Sequence, residues 1–321
     1  MNPGSTASAV AASPLVSVVL PTYNRVQTLG RAIHSVLGQT YTHLELIVVD
    51  DGSTDGTAEL VASISDARIR YLRLEQNQGV SNARNLGAEH ARGWLLAFQD
   101  SDDEWRVDKL RLQVEALSSQ PDVALVLCGN LFLNAWPMSF LGVDSPAAVV
   151  DCTRMVRFRI PGAPCWLLPR AEFLKEQGFD LGLDCFEDWE LALRLSQRGR
   201  VLLVNEPLLL VERQEQGLFS REEGYARNLV HILSKHENLL RPEHQAWASY
   251  CNLIGQALSA HSSTREGRAW FWKAIRAHPR SPRSWLNLLA SCCGRGVFGG
   301  YVRCMRWLRA RLAAPTRPSL H

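Results

Sequence analysis

Residues 16–57 read VSVVLPTYNRVQTLGRAIHSVLGQTYTHLELIVVDDGSTDGT. Two periods alternate in this stretch. Val16–Leu20 is a short apolar run rich in valine, and it stops at Pro21. Thr28–Gln39 carries Leu29, Ile33, Val36 and Leu37 at helical spacing. Leu44–Val49 is a second apolar run, halted by Asp50-Asp51-Gly52-Ser53. Apolar strands separated by an amphipathic helix describe a βαβ unit, whose strands lie parallel and are covered on both faces.

The alternation continues. Thr57–Ile64 reads as helix, Ile69–Leu74 as strand, Val80–Ala91 as helix, Trp94–Phe98 as strand, Val107–Leu117 as helix and Val123–Leu127 as strand. Further on, Cys165–Leu168, Val201–Val204 and Leu208–Val211 read as strands, and Ala171–Gln177 and Asp188–Gln197 as helices. From Ser220 the pattern is helical, with capping boxes at Ser220-x-x-Glu223 and Ser263-x-x-Glu266. The expected architecture is α/β: a Rossmann-like, mainly parallel sheet with helices on both faces, plus a helical C-terminal region. The expected divisions are a disordered lead-in over 1–14, the α/β domain over 15–215 and a helical, basic region over 216–321. In such sheets ligands sit beyond the C-terminal ends of the strands. Thr22-Tyr23-Asn24, Asp50-Asp51-Gly52-Ser53 and Asp100-Ser101-Asp102-Asp103 each follow a strand directly, so they are expected to share one crevice.

Composition bounds the function. The 321 residues are 46% hydrophobic and 21% charged, which is ordinary globular usage with enough apolar material for a sizeable core. A formal net charge of +3 excludes a whole-protein polyelectrolyte role, but it hides an asymmetry. From Arg265 onward there are twelve Lys/Arg and one acid, so residues 1–264 carry −8. None of the eight cysteines forms a CxxC pair, and no HExxH or Cys/His group has zinc spacing. They read as reduced, mostly buried thiols of a cytosolic protein. The N-terminal stretch lacks the charged and apolar regions of a secretory signal. The nearest approach to a membrane span, Val123–Val143, is broken by Gly129, Asn130, Asn134 and Pro137. No GxxxxGK[ST] and no GxGxxG occurs, which disfavours P-loop and dinucleotide chemistry.

Four clusters carry possible chemistry. Asp100, Asp102 and Asp103 place three carboxylates within four residues, whose mutual repulsion a divalent cation would relieve; otherwise they are a solvated loop that starts the next helix. Asp50–Thr57 has the residues of a strand-to-helix turn with a cap. Glu187-Asp188-Trp189-Glu190-Leu191 opens a helix, where the dipole keeps a carboxylate ionised as a general base requires. Arg84 sits about one turn into a helix and could face a phosphate or solvent.

Taken in order, Val18-Val19-Leu20-Pro21-Thr22-Tyr23-Asn24, Val49-Asp50-Asp51-Gly52-Ser53-Thr54-Asp55, Asn77-x-Gly79-x-x-x-Ala83-Arg84-Asn85-x-Gly87, Asp100-Ser101-Asp102-Asp103, Gly178-Phe179-Asp180 and Glu187-Asp188-Trp189-Glu190-Leu191 resemble family-2 glycosyltransferases over roughly residues 15–215. The resemblance implies the GT-A fold and an inverting, nucleotide-sugar-dependent transferase that uses Mn²⁺ or Mg²⁺. It implies that Pro21, Thr22, Tyr23 and Asn24 line the nucleotide. Asp51 would accept from the base, in such enzymes usually uracil. Arg84, Asp100 and Ser101 would lie at the donor, Asp102 would hold the metal, and Asp188, with Glu187 beside it, would be the catalytic base. The implied acceptor is a hydroxyl of a glycan or lipid-linked molecule in surface polysaccharide synthesis. One departure is present: many relatives carry Arg-x-His after the second-domain strand, whereas Arg213 is followed by Gln214 and Glu215.

The C-terminal stretch interleaves arginine with Trp270, Phe271, Trp272, Trp285, Phe298, Tyr301 and Trp307. Tyr301–Leu312 sets Val302, Met305 and Leu308 roughly on one face. This reads either as a helical cap with a solvated basic face or as a peripheral contact with an anionic leaflet. A nucleic-acid role finds no recognisable module. The expected location is cytoplasmic, with peripheral contact on the inner face of the membrane. A different class of function stays open: a degenerate nucleotide-sugar-binding or scaffold module whose tail does the work. A nucleotide hydrolase or nucleotidyltransferase is a third option.

Overall fold

The structure is a computed structural model that describes residues 13–133, 140–141, 148–151, 160–212 and 222–312. Residues 1–12 of the lead-in expected over 1–14, Cys152, Arg213-Gln214-Glu215 and Ser220 fall outside these residues. In chain order the elements are β1 (Val16–Thr22), α1 (Val26–Leu37), β2 (Leu44–Asp50), α2 (Thr57–Ser63), β3 (Ile69–Arg73), α3 (Val80–His90), β4 (Leu95–Phe98), β5 (Glu104–Trp105), α4 (Lys109–Ser118), β6 (Val123–Phe132), β7 (Phe140–Leu141), β8 (Val149–Asp151), β9 (Trp166–Pro169), α5 (Arg170–Lys175), α6 (Glu187–Leu195), β10 (Arg200–Val211), α7 (Glu222–Lys235), α8 (Glu237–Leu240), α9 (His244–His261), α10 (Thr264–Ala277), α11 (Pro282–Cys292) and α12 (Arg295–Leu312).

Two compact units divide the chain. The first comprises residues 1–155, 159–182 and 187–213; the second comprises 156–158, 183–186 and 214–321. The first holds one sheet in the order β3-β2-β1-β4-β9-β6-β10-β5, with β7 on β6 and β8 on β10. β1 runs parallel to β2 and β4, β2 to β3, and β6 to β10. β9 enters antiparallel between β4 and β6. Every residue of β1 and β2 is buried, so both faces of the sheet are covered. Each fully buried Val, Leu or Ile there is worth about 1.5–3 kcal/mol, which is why these valine-rich runs fix the centre of the sheet.

β10 departs from expectation. Two strands were expected over 201–211, but one strand runs throughout, with register shifts on β6 on either side of Pro207. Proline cannot donate to the ladder, so the strand is irregular at Pro207 without ending.

Helix α3 lies close on β1 and β2 at Gly87. A Cβ there would sit 2.3 Å from Val19 Cγ1 and 3.1 Å from Val49 Cγ2. Beneath the sheet's end, Phe98, Phe173, Phe179 and Trp166 form an aromatic cluster. Phe98 and Phe179 meet edge to face at 5.3 Å, and Trp166 stacks on Phe179 at 6.2 Å.

The second unit is helical. Ser263 caps α10, accepting from Glu266 N at 3.3 Å as the capping box predicted. Phe271, Ile275, Leu288 and Phe298 form its small core, with Tyr301 and Val302 packed on it. Val302 thus faces this core. Cys128, Cys165 and Cys251 are buried thiols as expected, whereas Cys292, Cys293 and Cys304 are exposed. No helix among the described residues is long and apolar enough to cross a membrane.

Candidate active site

Three loops leave the C-terminal ends of β1, β2 and β4, and side chains join them. Asn24 adopts a left-handed conformation (φ 51°). From there its backbone N donates to Ser53 Oγ at 2.9 Å, and its side-chain Oδ1 accepts from Thr54 N at 2.8 Å. Asp55 accepts from Val26 N and from Thr57 N, both at 3.1 Å, so one carboxylate serves the start of α1 and of α2. Arg25, next to Asn24, lies 3.7 Å from the Asp102 carboxylate on the third loop. Asp50 is fully buried and accepts from Tyr71 Oη at 2.5 Å and Ser53 N at 2.8 Å. Asn24 and Asp50 therefore shape these loops.

Asp51 accepts from Gln78 N through one oxygen and Gly79 N through the other, each at 2.8 Å. It pins the start of α3 to the end of β2. Burial pushes this carboxyl above its ordinary range, against the pull of the two N–H groups. Four lone-pair sites exist on a carboxylate and two are used here, which leaves acceptor capacity. Pro21 and Thr22 are buried beside it, and Tyr23 is 45% exposed. Thr22 Oγ1 is buried without a hydrogen-bond partner.

α3 then carries Arg84 inward. The helix rises 1.5 Å per residue, so Arg84 lies about 7–8 Å beyond Gly79 along the axis. Its guanidinium donates to Asp100 Oδ1 at 2.7 Å and to Glu187 Oε1 at 3.0 Å. It also lies 5.4 Å over the Phe179 ring. The two carboxylates hold its pKa above the ordinary guanidinium value despite burial. Of the alternatives open at the sequence level, solvent is excluded: Arg84 is 4% exposed.

Asp188 follows Glu187 at the first turn of α6. Its Oδ1 accepts from Trp189 N at 2.6 Å, and its Oδ2 faces Gly162, where a Cβ would lie 3.0 Å away. Burial and the neighbouring Glu187 charge push Asp188 up to about 7, with Arg84 pulling the other way. Phe186, just before, adopts a left-handed conformation at φ 66°.

The acidic loop does not start a helix. β5 and residues 106–108 separate Asp100–Asp103 from α4, which removes helix capping as the reason for three adjacent acids. Ser101 and Asp103 are buried, while the Asp102 side chain is 28% exposed. Burial and the Asp100 charge push Asp102 upward, and Arg25 offsets this. A hard oxygen donor held against like charge suits Mg²⁺ or Mn²⁺. Among the described residues no three His, Cys, Asp or Glu side chains make a self-contained cation cage.

Three residues that hold backbone groups in place gave no chemical signal in the sequence. Asn85 pairs with both backbone groups of Phe179: its Oδ1 accepts from Phe179 N at 2.8 Å, and its Nδ2 donates to Phe179 O at 2.9 Å. This explains Gly178, which has φ +66° and whose Cβ would meet Asn85 Oδ1 at 2.4 Å. Arg194 on α6 donates to Gly178 O at 2.7 Å while gripping the fully buried Glu190. In the second unit, Asn228 is buried. Turned with its amide oxygen toward the chain, it accepts from Asp184 N at 3.1 Å and Cys185 N at 3.0 Å. Tyr225 packs edge to face on Phe186 at 4.8 Å.

Residues 17–136 match the profile of glycosyl transferase family 2. Over that stretch the chain is similar to family-2 glycosyltransferases. A putative teichuronic acid biosynthesis glycosyltransferase of Bacillus subtilis, TuaG, is 47% identical over 104 residues, or 32% of this chain and 41% of that protein. WfgD of Escherichia coli, a UDP-Glc:α-D-GlcNAc-diphosphoundecaprenol β-1,3-glucosyltransferase, is 44% identical over 103 residues, with the same two shares. The match spans about two fifths of the length of these relatives. The fold resembles S. aureus TarS 1–349 in complex with UDP-GlcNAc, with TM-score 0.67 and 19% identity over 90% of this chain and 91% of that one. It also resembles the mannosyltransferase PcManGT of Pyrobaculum calidifontis in complex with GDP-Man and Mn²⁺, with TM-score 0.58 and 19% identity over 89% and 87%. The sheet and its helices have the GT-A fold of these structural neighbours.

Proposed function

We propose that this chain moves one sugar from a nucleotide sugar to a hydroxyl of a glycan or lipid-linked acceptor in surface polysaccharide or glycoconjugate synthesis, inverting the anomeric configuration. The observation that carries this reading is the meeting of Asp100, Glu187 and Asp188 around Arg84, from three separate segments of the first unit. Four charged groups drawn together under partial burial are costly to keep unless they act. A UDP-sugar is the favoured donor, because WfgD is named for UDP-Glc and the TarS complex holds UDP-GlcNAc.

In this reading Pro21, Thr22, Tyr23 and Asn24 border the nucleoside, and the spare lone pairs of Asp51 accept from the base. Asp100 and Ser101 lie at the sugar and ribose, with Arg84 fixing the carboxylate of Asp100. Asp102 would hold a divalent cation, which would supply positive charge against the leaving diphosphate. Asp188 takes the proton of the acceptor hydroxyl. That oxygen bonds to the anomeric carbon as the bond to the diphosphate oxygen breaks, in one displacement without a covalent intermediate. The transition state is oxocarbenium-like, as in glycoside hydrolysis. A pKa near the working pH suits Asp188 to this exchange.

The test is a donor screen. The purified chain is offered a panel of UDP-, GDP- and dTDP-sugars with Mn²⁺ or Mg²⁺, read by thermal shift and release of nucleoside diphosphate. One UDP-sugar is expected to raise the melting temperature and release UDP, faster with acceptor. A chain that binds no member of the panel would instead be the degenerate scaffold, and release of nucleoside monophosphate would make it a nucleotidyl enzyme.

A further inference from the structure

Helix α11 is built inside out. Its buried face carries Ser284, Asn287 and Ser291 beside Leu288, and its outer face carries Trp285, Leu286 and Leu289, which are 41, 49 and 63% exposed. The inward polar groups bond within the unit. Asn252 Nδ2 donates to Ser284 Oγ at 2.8 Å, Asn287 Nδ2 to Asn252 Oδ1 at 2.9 Å, and Gln256 Nε2 to Asn287 Oδ1 at 3.0 Å. A surface helix in water shows the opposite arrangement. Reversal is the mark of a helix whose outer surroundings are apolar.

The face continues onto α10. Trp272, 47% exposed, meets Trp285 edge to face at 5.9 Å. Trp285 Nε1 donates to Pro279 O at 2.9 Å, so the ring's one polar group is satisfied internally. Arg268 and Arg276 stand four residues to either side of Trp272, on the same side of α10, and Arg280 is exposed in the turn that follows. Residues 265–321 hold twelve Lys/Arg against the single acid Glu266. Such a charge repels a second copy of the same face and attracts an anionic one. Tryptophan beside arginine is the composition that settles at the boundary between lipid headgroups and acyl chains.

We propose that Trp272, Trp285, Leu286 and Leu289, framed by Arg268, Arg276 and Arg280, form a docking surface for an anionic phospholipid bilayer. The helices lie along the interface with the indoles inserted, and arginine makes the contact selective for negative headgroups. The surface is separate from the residues placed at the donor, and its test needs no sugar.

The full chain is sedimented with vesicles of phosphatidylcholine alone and with about 30% phosphatidylglycerol added, at low and high salt. Binding to the anionic vesicles is expected to be tighter by about tenfold or more and to weaken with salt. Tryptophan fluorescence should shift to the blue and be quenched by lipids brominated on the acyl chain. The paired substitution Trp285→Ser with Leu289→Ser, and Arg276→Glu alone, should each weaken binding by about tenfold. Circular dichroism confirms that each variant is folded, and single-stranded DNA serves as a competing polyanion. Equal binding to both vesicle types, no binding by the folded parent, or unchanged binding by the folded variants would overturn the proposal. So would a dimer in solution that the Trp285/Leu289 substitutions dissociate, or a preference for DNA over the anionic vesicles.

Discussion

The Arg84 guanidinium donates to the Glu187 carboxylate at 3.0 Å across 103 residues of chain. Its other arm reaches Asp100 at 2.7 Å. Only a planar fork serves both at once. Arg84→Lys keeps the charge but offers a single point, leaving one carboxylate unpaired in a partly buried setting. Breaking such a pair costs about 3 kcal/mol, so the melting temperature should fall clearly. A variant as stable as the parent would show that the fork does not hold the loops.

Asp188→Asn retains the size of the side chain and removes its capacity to take a proton. Calorimetric binding of UDP should stay within about twofold, while transfer falls by about 10²–10⁴. Transfer near the parent rate would move the base elsewhere.

Acidity follows from the same neighbours. Asp188 works as a base only when ionised, and burial and Glu187 push it up to about 7. Turnover should therefore rise with pH through about 7 and level off above it. Glu187→Gln removes one raising cause and leaves Arg84 more attractive to Asp188, so the acidic limb should move to lower pH. A kcat/KM profile whose limb stays in place or moves upward contradicts the assignment.

Asp102→Ala should abolish the dependence of turnover on divalent cation without unfolding the chain. The direct readout is thermal shift with UDP. Mn²⁺ should add stabilisation to the parent and none to the variant, and full parental activity in EDTA would defeat the idea.

Asn228 accepts from the backbone just before Glu187 and Asp188. Asn228→Ala removes the acceptor that the Asp184 and Cys185 N–H groups share, at about 0.5–1.5 kcal/mol for each hydrogen bond lost. Expected are a fall in kcat with KM for the donor unchanged and a shifted Asp188 limb, with Asn228→Gln failing to rescue. A purely structural effect would lower the melting temperature and leave the pH profile as it was.

Local pattern carried the sheet and its helices. Valine-rich runs between amphipathic stretches can bury only as parallel strands, and loops at their C-terminal ends must then sit side by side. Partner choice was not local. Nothing in Trp166–Pro169 marks it for antiparallel insertion between β4 and β6, since a fully buried strand has the same composition in either direction. Arg84 is recognisable as a charge near the site, but its two carboxylate partners depend on where α3 and α6 come to rest. Asn85, Asn228 and Arg194 act through backbone groups, which carry no side-chain signature. Val201–Val204 and Leu208–Val211 read as two strands because two apolar runs flank a gap, yet β10 runs through that gap with its register on β6 shifted.

Gly87 supplies no functional group, yet it sets the working depth of one. Because nothing projects from it, α3 rests almost on the valines of β1 and β2, and the guanidinium three residues earlier enters at that level. A single added methyl would jack the helix off its bed and lift the arginine with it, so the altimeter of this site is a hydrogen atom.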